Sequence, residues 1–108
     1  MPEMEKYVWI GLVGVTPKPG AKRVLSAASK GAFVNALAYA ADEAEYRSAV
    51  VRALEALGLT AHEFEDLETF AERSSKWNVD DSLRALAEEV SATGDVRFGT
   101  FHNYTGVE

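Results

Sequence analysis

Apolar positions fall into short runs of two different periods along this chain. Tyr7–Val15 (Tyr-Val-Trp-Ile-Gly-Leu-Val-Gly-Val) is apolar on both alternating faces. Its length, its β-branched and aromatic content and the Thr-Pro stop after it predict a buried strand. Phe33–Ala40 alternates in size: Phe33, Asn35, Leu37 and Tyr39 take one face, and alanines with Val34 take the other. A smooth alanine face lets a helix sit close to a sheet. Asp42–Leu57 changes to helical period, with Tyr46, Ala49, Val50, Ala53, Leu54 and Leu57 on one face. Asp42 and Glu45 form a variant capping box at its start, and Gly58 takes the terminating role. Leu59–Phe64 predicts a further strand of imperfect alternation. Leu67–Trp77 has helical spacing at Leu67, Phe70, Ala71 and Ser74, consistent with a short helix. Asp80 or Asp81 then caps a helix with Leu83, Leu86, Ala87 and Val90 on one face, closed by Gly94. Asp95–Tyr104 predicts a last strand, with Phe98, His102 and Tyr104 on one face and Arg97 and Phe101 on the other.

The order β-β-α-β-α-β predicts an α+β two-layer sandwich: a four-stranded mixed or antiparallel sheet with two main helices on one face. It resembles a ferredoxin-like layout with the first strand displaced to the N-terminus, a likeness of layout that implies no activity. Residues 1–108 read as a single domain of common size. Between the first two strands, 16–31 forms a long basic loop opened by Thr-Pro-Lys-Pro-Gly. Loops of that length are usually functional or mobile.

Charge adds a second pattern. The net charge is −6. Residues 16–31 carry Lys18, Lys22, Arg23 and Lys30 with no acid, hence +4, which leaves −10 for the rest. Glu63, Glu65, Asp66, Glu68 and Glu72 lie within ten residues that contain no base. Net acidity argues against sequence-independent binding to nucleic acid, which rests on cations neutralising phosphates. There is no cysteine, which removes disulfides, thiolate metal sites and a thiol nucleophile and fits a reducing compartment. The N-terminus carries acids where a signal peptide carries bases. Tyr7–Val15 is about half a membrane span. A soluble, cytoplasmic protein without membrane contact is expected.

No catalytic or cofactor motif stands out, so no cofactor, metal site or catalytic residue is assigned. His62 sits among carboxylates, but the zincin helix motif needs a second His four residues on; an ordinary surface histidine is the plainer reading. Ser26-Ala27-Ala28-Ser29-Lys30 looks like a Ser/Lys pair with one residue too many. The plainer reading is a solvated loop, with Lys18, Lys22, Arg23 and Lys30 as a candidate anion-binding loop. The run Glu63, Glu65, Asp66, Glu68, Glu72 is either a solvated face or a docking surface for a basic partner, with Trp77 as an aromatic anchor beside it. The plainer reading of Trp77 is a cap on the core between the two helical segments. Asn35, Tyr39, His102 and Tyr104 are candidates for a ligand pocket on the sheet face away from the helices. If that face is open and apolar, a homodimer packed sheet to sheet would cover it.

Two functional expectations result. The first is a small non-enzymatic interaction module of the immunity or inhibitor kind, homodimeric through its sheet, docking a basic protein on its acidic surface. The alternative is a small-molecule-binding or catalytic domain with the sheet-face pocket and residues 18–30 as a lid.

Overall fold

The computed structural model of the chain describes residues 5–17, 31–99 and 101–104. Strand β1 (Tyr7–Pro17) pairs antiparallel with β2 (Gly31–Ala40), placing Ile10 opposite Leu37 and Val13 opposite Val34. Helix α1 (Glu43–Ala56) leads to β3 (Leu59–Thr69), which pairs antiparallel with the other side of β1. Helices α2 (Phe70–Lys76) and α3 (Asp81–Thr93) follow, then two short strands, β4 (Arg97–Phe98) and β5 (His102–Tyr104), both on the free side of β2. The sheet order is β3-β1-β2-β4, with β5 beside β4's position. This is an α+β fold with a four-position antiparallel sheet and three helices.

The helix ends follow the capping chemistry of the sequence. The Asp42 carboxylate accepts from the Glu45 amide at 2.8 Å, and Glu45 accepts from the Ala41 amide at 2.7 Å. Asp80 accepts from the Leu83 amide at 2.9 Å to start α3. Gly94 closes α3 with φ 77°, a conformation that glycine adopts without steric cost.

The expectation of both main helices on one face does not hold. Helix α1 lays Tyr46, Val50 and Leu54 on the alanine face of β2, with Val13 and Val15 of β1. Helix α3 lays Ala87 and Val90 against Ile10 and Leu37, on the opposite face. Leu37 lies between Ala36 and Ala38 in one strand, so its side chain must point away from theirs. All three are essentially fully buried, so both sides of the sheet are covered at its centre. Leu57, expected on the apolar face of α1, is instead its exposed C-cap.

Strand β3 runs five residues further than expected, through two register shifts against β1. Leu59, Ala61, Phe64 and Leu67 all pack into the α1-side core. Their spacing of two, three and three cannot come from a regular strand. Each bulge inserts an extra residue and returns the next apolar side chain to the same face. The second holds Asp66 at φ 52°, a left-handed conformation that aspartate tolerates better than most residues.

The last strand is likewise interrupted. Phe98 pairs with Ala36, whereas His102 pairs with Phe33. The sums of paired numbers differ by one, so Phe98 and His102 lie on opposite faces rather than sharing one.

Candidate functional site

A cleft of about 680 Å³ lies between the end of β3, α2 and the segment that enters α3. Its walls include Asp66, Glu68, Arg73, Lys76, Trp77 and Asp80. Local chemistry builds it. Thr69 ends β3 and caps α2: its hydroxyl accepts from the Glu72 amide at 3.2 Å while the Glu72 carboxylate accepts from the Thr69 amide at 3.0 Å. That reciprocal box starts a helix immediately after a strand. It brings Arg73 and Lys76, one helical turn apart, back over Glu68.

Glu68 is the electrostatic centre of the cleft. Its side chain is only 14% exposed and pairs with Arg73 through Nε and with Lys76 at 2.6 Å. Arg73 also donates to the Asp66 carbonyl at 2.8 Å, fastening the bulge. Hydrogen bonds from Arg73 and then Lys76 hold the Glu68 carboxyl below its ordinary range. The Thr69 amide and hydroxyl do the same for Glu72, and the Leu83 amide with the Ser82 hydroxyl for Asp80.

These depressed values carry a pH prediction. Stabilisation from such groups is complete above the unfolded carboxylate range, about pH 4, and is lost as pH falls through the lower folded values. Melting curves recorded from pH 7 downward should hold level and then fall below about pH 4. Glu68→Gln should lower stability at neutral pH and make that acid limb shallower. An unchanged limb would refute the assignment to Glu68.

The acidic run therefore divides into two groups. Glu68 and Glu72 are committed to internal partners. Glu63, Glu65 and Asp66 are exposed on β3, which lies at the edge of the sheet among the described residues. Glu63 lies over Gly14, with His62 Nδ1 3.9 Å from its carboxylate. Trp77 is 66% exposed at the cleft rather than capping the core.

Tyr39 is held apart from the other sheet-face candidates, whereas His102 and Tyr104 pair with Phe33 and Gly31, the alternate residues of β2 next to Asn35. Asn35 and Tyr39 share a face of β2, but Leu37 separates them and is covered by α3. His102 pairs with Phe33, six residues and about 20 Å along the strand from Tyr39. Tyr39 instead borders a separate cleft of about 350 Å³ with Tyr7, Val8 and Phe70. Tyr104 pairs with Gly31. Lys18, Lys22, Arg23 and Lys30 lie outside the described residues, whereas Thr16, Pro17 and Gly31 belong to strands. With α3 over Ile10 and Leu37, the described part of that face keeps Leu12, Phe33 and Asn35 as its half-buried remainder.

Sequence reasoning missed Arg73 and Lys76 as part of the site. Their signal was present: both follow Glu68 at distances that a strand-to-helix turn closes. Among the described residues, no three His, Asp or Glu side chains are placed to hold a metal ion, and no helix is long and apolar enough to cross a membrane.

The site and fold define a small α+β domain with an acidic edge strand and an aromatic-lipped cleft. No protein-family model matches the chain, and neither the curated proteins nor the solved structures contain a match.

Proposed function

We propose that this domain is a non-enzymatic interaction module that captures a basic protein segment along β3. The observation supporting this reading is the division of the acidic run. Glu63, Glu65 and Asp66 remain exposed without a paired Lys or Arg among the described residues, while Glu68 and Glu72 are neutralised or used as caps. Three uncompensated carboxylates on one edge attract basic partners and select against acidic ones. Trp77, exposed on the cleft that Asp66 also lines, offers the kind of aromatic anchor that binding surfaces favour. An inhibitor or immunity protein that blankets a basic active site is one concrete form of the reading.

The test is titration with a Lys-rich peptide of wild type and of the variant Glu63→Lys, Glu65→Lys, Asp66→Asn. Asparagine keeps the left-handed backbone at 66 accessible. Each altered pair costs on the order of 1 kcal/mol, so binding should weaken by roughly 100-fold. Melting temperature should move by only a few degrees, as expected for surface changes. Equal binding by the two proteins would sink the proposal.

A second reading has its own support. The cleft beside Glu68 falls within the volume range of small-molecule sites, and it combines two cations with an indole. A thermal-shift screen in which metabolites stabilise wild type but not Trp77→Ala would favour it.

A further inference from the structure

We infer that the basic segment is bound as an added β-strand, pairing with the outer edge of β3 over residues 60–65. This inference rests on the proposed capture of a basic segment and specifies its geometry.

Strand β3 has eleven residues, and β1 is its one strand neighbour among the described residues. In an antiparallel sheet, alternate residues of an edge strand direct their N–H and C=O groups outward, where another chain can bond them. The open stretch has a defined end. At Asp66 the backbone turns left-handed and its carbonyl is taken by Arg73. The run from Thr60 to Glu65 remains, about 20 Å of strand, with the first register shift at His62 inside it and the regular stretch Glu63–Glu65 beyond it.

Charge selects the occupant. Glu63 pairs with Gly14 and Glu65 with Leu12, so both acids project on the α3 side of the sheet. Phe64 between them pairs with Val13 and projects on the α1 side. A strand laid beside this edge would place alternate side chains next to the two acids and the intervening one next to Phe64. The matching pattern is basic, apolar, basic. A second copy of β3 would instead set acids against acids, which is unfavourable across a strand pair. Acids on an edge are also a common guard against self-association. Both effects favour a basic strand over a second copy.

The probe is an acetylated, amidated hexapeptide, Thr-Lys-Val-Lys-Thr-Tyr, with two versions N-methylated on complementary alternate amides. Methylation removes hydrogen-bond donors from one edge of the peptide and leaves its charge unchanged. Strand addition predicts that one methylated version binds about tenfold more weakly or worse, because several ladder bonds are lost, while the other binds like the parent. It also predicts slowed amide exchange within residues 60–65 in the presence of the parent. Equal binding by all three peptides would overturn strand addition and leave capture by charge standing. Failure of the parent peptide to bind would overturn both.

Discussion

Replacing Leu37 by alanine should destabilise the domain by about 2–5 kcal/mol, the usual range for a buried leucine that leaves a cavity. For a chain of this length the melting temperature should fall by roughly 10–30 °C. The prediction is specific to the observed architecture. Leu37 is fully buried, between Ile10 of β1 and Ala87 and Val90 of α3. In a sandwich with both helices on the alanine face, Leu37 would lie on the open side and its loss would cost little. Leu54→Ala on α1 is the matched control, because Leu54 is equally buried on the opposite face. Urea unfolding of the two variants should give losses of similar size. A Leu37→Ala effect below about 1 kcal/mol would refute the placement of α3 over the sheet.

The second large effect should be a coupling between Gly11 and Tyr46. Tyr46 is fully buried, donates its hydroxyl hydrogen to the Ala36 carbonyl at 2.8 Å and meets Phe64 edge to face. Burial pushes its phenol pKa well above the ordinary value, so the group stays a neutral donor. A Cβ at Gly11 would lie 2.9 Å from that hydroxyl oxygen and 3.2 Å from Leu67. Gly11→Ala should therefore cost about 1–3 kcal/mol as an overpacking change. Tyr46→Phe alone should cost about 1 kcal/mol for the lost hydrogen bond. Once the hydroxyl is gone, adding the methyl group should be much cheaper. The double-mutant cycle should show a favourable coupling of about 1 kcal/mol or more. Gly14→Ala serves as contrast, because there the new Cβ meets the Glu63 side chain, which is exposed and can swing aside. A cycle with no coupling would show that Gly11 is not kept small by Tyr46.

Charge reversal on β3 and the methylated peptides test the binding proposals separately from these core variants. The core positions named lie on β1, β2 and α1, whereas Glu63, Glu65 and Asp66 are exposed on β3, so effects on folding and on capture can be measured independently.

The features legible in the sequence are those set by near neighbours. Helix α1 is fixed by Asp42, Glu45 and the spacing of Tyr46, Val50 and Leu54. Helix α3 is fixed by Asp80, its apolar stripe and Gly94. The alanine face of β2 announced a close-packed helix, and α1 lies there. The division of charge between an acidic run and a basic segment is also a property of the sequence alone. Helical and strand periods, caps and charge depend on residues a few positions apart, so one chain read in order contains them.

What only the tertiary structure decided depends on pairing between distant segments. The side of the sheet that α3 covers follows from Leu37 and Ile10 being cross-strand partners. The length of β3 follows from two bulges against β1, which turned a strand with apolar residues at spacings of two, three and three into an apparent mixture of strand and helix. The interruption before β5 moved His102 away from the face of Phe98, and α3 over Leu37 kept Asn35 apart from Tyr39. The acidic run was visible as charge, but its division into committed and exposed carboxylates required α2 to fold Arg73 and Lys76 back over Glu68. Composition shows which groups are present, and the return of the chain on itself determines which of them remain free to meet a partner.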